Sequence, residues 1–301
     1  MDKEISEVTS LVMIICVELV MIGKFVSLIW RVFFDEKLSI ILTKLEKIHE
    51  KLIRLNMVGA MKINMNWFFI FTITAQVIEN IVFSLLWFEM SKTKIRTIDM
   101  VSATVMNVVQ CGSFFEYILL ILYIQRMLYT INENILERKS CLSSFRDMHL
   151  EVLECLNHVN RSIYGLPVVV VFILGFVAEI INTIYSHMLF PRDYVINDFY
   201  YFLCVTIRLL IKIVNVLMLY RIGHFMEQEV IRTSFVLQQR SLIERNPRVK
   251  RQIKFFILRR LHEYYRFELY GICQINLRQL LILVNKTFAY LIIQILFKLN
   301  K

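Results

Sequence analysis

The sequence predicts an all-α, polytopic membrane bundle, and three observations carry that expectation. Of the 301 residues, 57% are hydrophobic and only 7 are Gly and 3 Pro, against an apolar share of roughly 45–50% in soluble domains. Six mostly apolar runs of about 20 residues or more are bounded by charge, long enough to cross hydrocarbon as helices. The basic residues are also unevenly shared among the connections between those runs. Strands of a membrane barrel would be about half as long and would alternate, which excludes a barrel. The apolar runs and 13% aromatic content exclude intrinsic disorder.

Taken in order, the expected spans of this single membrane domain (1–301) are Leu11 to Phe34 (11–34), Trp67 to Phe88 (67–88), Met100 to Ile124 (100–124), Ile163 to Ile184 (163–184), Phe199 to Tyr220 (199–220) and Ile275 to Phe297 (275–297). The first is too long for the apolar core of a signal peptide and follows an acidic start, so it reads as a span. Trp67, Trp87, Tyr123, Tyr185, Tyr200 and Tyr220 stand near span ends, where amphipathic rings suit the headgroup level.

The connections alternate between long and short. The three long ones, residues 35–66, 125–162 and 221–274, hold 22 of the 35 Lys and Arg, while the tails and short connections hold 7. Basic residues favour the cytoplasmic side, so the long connections are expected in the cytosol and both termini outside. The formal charge of +10 is thereby explained by topology, and no nucleic-acid partner is expected. Of the two glycosylation sequons, Asn160 falls in a cytosolic connection and Asn285 in a span, so neither is expected to carry sugar.

The long connections are amphipathic. Leu38, Ile41, Leu42, Leu45, Ile48, Leu52 and Leu55 recur at three- and four-residue steps, with Lys44, Lys47, Lys51 and Arg54 off the stripe. Residues 147–159 repeat the pattern with Leu150, Leu153, Leu156 and Val159, and residues 250–267 with Ile253, Phe256, Ile257, Leu261, Tyr264 and Tyr265. The expectation is that the spans continue below the membrane as helices packed into a common cytosolic bundle. Adsorption on anionic lipid, through Arg245, Arg248, Lys250, Arg251 and Lys254, is the rival.

Ionisable groups inside spans are costly and mark functional candidates. They are Glu18, Lys24, Glu79, Glu116, Glu179, Arg208, Lys212, Arg278 and Lys286. Arg208 and Lys212 lie four residues apart on one helix face, where Glu116 or Glu179 of a neighbouring span could pair with them or all four could meet a ligand. In the last span Asn276, Gln279, Leu283, Thr287, Tyr290 and Gln294 follow at steps of three and four, a polar stripe that suits either interhelical hydrogen bonds or a pore lining.

Catalytic signatures are missing: no H-E-x-x-H, G-x-S-x-G, P-loop or G-x-G-x-x-G occurs, so no catalytic residue, metal ligand or cofactor is expected. The six Cys are scattered and read as buried or cytosolic thiols, and the six His take no assigned role.

The segment Thr287-Phe288-Ala289-Tyr290-Leu291-Ile292-Ile293-Gln294-Ile295 resembles the signature of insect gustatory receptors, in which Thr-Tyr is followed by five hydrophobic residues and Gln-Phe. Thr287 and Gln294 match outright, Phe288 stands for Tyr and Ile295 for Phe. The outside C-terminus, basic long connections and short outer loops are similar to that family over essentially the whole chain. The resemblance implies a taste chemoreceptor working as a ligand-gated cation channel, a homo- or heterotetramer with the last helix of each subunit lining the pore. Its partners would be a small-molecule tastant, other receptor subunits and membrane lipid. Gln294 and Ile295 would then lie at the gate and Thr287 and Phe288 further along the same helix. The family has seven spans, and six fit if its first helix is missing here, as in a truncated or non-conducting subunit. A G-protein-coupled receptor would place the C-terminus inside, against the charge partition, and a transporter would show repeats and Gly- or Pro-broken helices.

Overall fold

The computed structural model describes residues 2–55, 66–91, 97–137, 142–181, 198–262, 267–271 and 273–299. Over these residues the chain is helical except for one short hairpin and brief breaks at helix ends. The helices are α1 (Asp2–Arg54), α2 (Asn66–Ser91), α3 (Thr97–Glu137), α4 (Leu142–Ile163), α5 (Gly165–Ile181), α6 (Asp198–Ile243), α7 (Pro247–His262) and α8 (Leu277–Leu299). Strands β1 (Glu268–Leu269) and β2 (Cys273–Gln274) pair antiparallel just before α8.

Span and connection are not separate helices in the first, third and fifth cases. α1 runs unbroken through the expected boundary at Phe34, α3 through Ile124 and α6 through Tyr220. No Gly or Pro interrupts α1 or α3 at those points, and a helix has no reason to stop where the solvent changes. At 46 residues α6 is about 70 Å long. Among the described residues, Thr104–Ile135 and Phe202–Ile243 are long and apolar enough to cross a membrane, and the bent pair α4–α5 would add a third.

The extensions pack against one another. In α1 Leu38, Ile41, Leu45, Ile48 and Leu52 are buried at alternating three- and four-residue steps, while Leu42 is exposed. In α4 the buried face is Phe145, Met148, His149, Val152, Cys155 and Leu156, so the stripe expected from the leucines is rotated and Leu150 and Leu153 lie half-buried at its edge. In α7 Ile253 and Phe256 turn inward; the helix ends at His262, so Phe267, expected as its last apolar residue, is instead buried beside β1. Tyr264 and Tyr265 lie outside the described residues. A common bundle, rather than three helices adsorbed separately on lipid, is what covers these faces.

α3 is the axis of this core. Phe114, Tyr117, Ile121, Ile124, Leu128, Ile131 and Ile135 are at most 1% exposed; beyond the expected span, each of Leu128, Ile131 and Ile135 withdrawn from water stabilises by roughly 1.5–3 kcal/mol. Polar contacts fix α3 against α6: the Asn132 amide donates to Glu229 Oε1 (2.8 Å), and Arg232 pairs with Glu133. On α4, His149 Nε2 lies 3.1 Å from Thr233 Oγ1. The exposed pairs Lys44–Glu154 and Lys51–Glu151 add little beside this core. Burial pushes the Cys155 and Cys273 thiols up, leaving them protonated at neutral pH.

The α4–α5 junction bends by 61°. Residues 159–163 close a wide π turn, with Tyr164 N–H donating to Val159 O. Pro167 follows two residues after Gly165 and brings no N–H of its own. The shifted register releases the Asn160 carbonyl, which accepts the Tyr270 N–H at 3.0 Å. Trp30 of α1 donates to the Ile163 carbonyl and the Tyr117 hydroxyl to Asn160 Oδ1 (3.1 Å), so the bend is held from three sides.

Two glycines make room for the hairpin. A Cβ on Gly165 would collide with the Asn160 carbonyl and crowd Tyr270 N, and one on Gly223 would collide with the Ile275 carbonyl and crowd Phe267. Gly223→Ala should therefore cost about 1–3 kcal/mol, read as a lower midpoint of thermal unfolding in detergent. Gly112→Ala, whose added methyl meets nothing within 4 Å, should leave the midpoint unchanged or raise it; equal losses in the two variants would refute the close approach at Gly223.

Candidate functional site

Three helices bring their polar residues to one place. On α2, Gln76, Glu79 and Asn80 lie at i, i+3 and i+4 and so share a face; on α6, Arg208, Lys212 and Asn215 do the same at i, i+4 and i+7; α5 contributes Glu179 and Phe176. Lys212 pairs with Glu79 and, at 3.1 Å, with Glu179 Oε2, and its side chain is 2% exposed. Arg208 lies 3.5 Å from Glu179 Oε1. The Lys212 ammonium also stands 4.4 Å from the centre of the Phe176 ring, a cation–π contact.

Amides extend the network. Asn215 Nδ2 donates to Glu79 Oε2 (3.4 Å) and Gln76 Nε2 to Asn215 Oδ1 (3.1 Å). Asn107 of α3 donates to Asn80 Oδ1 at 2.9 Å. Of the four ionisable residues expected here, Glu179, Arg208 and Lys212 come together. The second carboxylate on Lys212 is Glu79 and not Glu116, which sits half-buried on α3. The reason is facing: Glu79 points from α2 straight at α6 and is wholly buried there. Taking one partner from a buried pair leaves the other charge uncompensated, which costs roughly 3–5 kcal/mol. Lys212→Met should therefore unfold well below the wild type in a thermal melt, and adding Glu79→Gln should recover part of the loss; losses that simply add would show that the two side chains are not coupled.

A second constellation holds the start of the last helix. Glu227 of α6 accepts through Oε1 from the Phe267 N–H and the Gln274 side chain, both at 3.0 Å, and through Oε2 from Asn276 Nδ2 at 3.3 Å. Asn276 Oδ1 in turn accepts the Gln279 N–H at 2.9 Å, capping α8. Asn276, expected within the pore-facing stripe, is thus a buried cap turned toward α6 of its own chain, because α8 begins only at Leu277. Gln279 is half-buried one step inside the helix.

Further along α8, Thr287 is exposed and its hydroxyl donates to the Leu283 carbonyl (2.9 Å), while Phe288 is 61% exposed. Tyr290, Gln294 and Ile295 fall on the helix, with side chains outside the described residues. Glu227 and Asn160 had no local signal: an acid and an asparagine on amphipathic stretches look like solvated face residues until the hairpin lies over them. Glu79 had one, since three polar residues at i, i+3 and i+4 inside an apolar run mark a face that must meet another polar face.

Long apolar helices joined by buried charges among them define a polytopic helical membrane protein. The model of the 7tm Chemosensory receptor family matches residues 4–301, and the chain belongs to that family. It is a chemosensory receptor by family, and the family is not one of enzymes. No curated protein matches the chain.

Proposed function

We propose that the chain is a gustatory receptor subunit, a ligand-gated cation channel of the plasma membrane that opens on binding a small-molecule tastant. Four subunits, identical or mixed, surround the pore, six spans carry each subunit through the membrane, and both termini lie outside. The observation that carries this reading is the state of α8. Leu280 is packed against the bundle, but Val284, Asn285, Lys286, Thr287, Phe288 and Ala289 are all exposed. Six consecutive exposed residues cover every face of the helix, so nothing among the described residues of its own chain packs on it there. Lipid suits Val284 and Phe288 but not Asn285 and Lys286, which favour an axis lined by other copies of the helix. Gln294 and Ile295, further along, are the proposed gate, with Thr287 and Phe288 following the same wall.

If α8 lines the pore, Gln294→Ala and Ile295→Ala should change gating or conductance in cells with robust wild-type currents. Both conducting like wild type would overturn the pore assignment. For the topology, epitope tags at either terminus should be reached by antibody on intact cells expressing the protein at the surface; a C-terminal tag reached only after permeabilisation would reverse α8 and exclude this arrangement.

A further inference from the structure

The cluster between α2, α5 and α6 balances its own charges, but a further cation stands beside it. It contains two carboxylates, Glu79 and Glu179, and the cations Arg208 and Lys212 that pair with them. A third cation, Lys24 of α1, stands beside it with its ammonium 5.6 Å from the centre of the Phe83 ring, and the Arg208 guanidinium lies 4.8 Å from the centre of the same ring. Lys24 is half-buried and has no carboxylate within ion-pairing distance among the described residues. Among the described residues the one ion pair of Arg208 is the long contact to Glu179, and its side chain remains 27% exposed.

An unpaired ammonium in such surroundings is costly unless an anion reaches it. Lys24 lies 13 residues from the outer and 10 from the inner end of the expected first span, about 20 and 15 Å along the helix, deep for a phospholipid headgroup on either side. One turn from Arg208 toward the start of α6, Cys204 and Val205 form a small buried apolar cluster with Val82, the neighbour of Phe83. Two cations over one aromatic ring, with an apolar patch a turn away, match a molecule that is charged at one end and greasy at the other.

We propose that the receptor binds an organic anion, a carboxylate or sulfate on an apolar body, with its charged group between Lys24 and Arg208 and its body toward Val82 and Val205. This names the chemical class of the ligand, and it rests on the chemoreceptor reading above only for the consequence that binding opens a pore. Lys212 is committed to its two carboxylates and takes no part in capture. A neutral ligand of the same shape would leave Lys24 with only the more distant Glu179, already shared with Arg208 and Lys212, as its counter-charge, so the site discriminates against it.

The test uses the full chain purified in detergent, with decanoate as the probe and 1-decanol as its uncharged match. Decanoate should raise the unfolding midpoint by several degrees and decanol should not. The rise should vanish in Lys24→Met, survive in Lys24→Arg, and survive in Lys254→Met, a change on the exposed side of α7. No rise with decanoate, an equal rise with decanol, or a rise retained in a folded Lys24→Met would overturn the proposal. So would stabilisation by added phosphatidylglycerol but not by decanoate, which would assign the cations to lipid. Because the melt reads binding without current, a charge-selective rise in a protein that never conducts would sink the channel reading and leave this one standing. Currents without any such rise would do the reverse.

Discussion

Hydrocarbon offers no hydrogen bonds, so every polar group carried into a span has to find its partner inside the protein. That constraint accounts for the way the helices meet. Glu79, Lys212 and Glu179 sit on three different helices, and Lys212 is the counter-charge that the two carboxylates share. The helices are thereby fixed in rotation as well as position, because turning any one by a single residue would leave a buried charge alone. Dispersion and apolar burial would hold the same helices together but would allow many rotations.

The same demand shapes the backbone. Where the π turn at 159–163 releases the Asn160 carbonyl, the chain brings back Tyr270, more than a hundred residues later, to satisfy it. Tyr270 adopts a positive φ of 53° to do so and Gly271 follows at 71°; the left-handed conformation costs a tyrosine roughly 1–2 kcal/mol and a glycine almost nothing. The hairpin is thus held from two directions, by the bend between α4 and α5 and by Glu227 on α6.

Much of the helical architecture was legible in the sequence because hydrophobic period and charge are local properties. The buried face of α1 follows Leu38, Ile41, Leu45, Ile48 and Leu52 as the pattern implies. What was not legible depended on distant pairings. Met148, His149 and Cys155 share the inner face of α4 with Val152 and Leu156, and no reading based on leucines alone could weigh a histidine that finds Thr233 only once α6 lies beside it. Asn276 looked like the first rung of a polar stripe because helical spacing cannot tell a residue inside a helix from the one capping it. The hairpin was invisible for a simpler reason: two-residue strands leave no alternation to detect.

The unbroken course of α6 carries Lys212 and Glu227 on one rod, fifteen residues apart and about 22 Å along the axis. Their angular relation is set by the count of residues between them. Deleting or inserting one residue anywhere in that stretch would turn one end by about 100° relative to the other, so either the three-helix charge contact or the grip on the hairpin would have to be given up. The stretch between them therefore tolerates exchange of side chains far better than any change of length, and variants of this receptor should differ there in spelling but not in letter count.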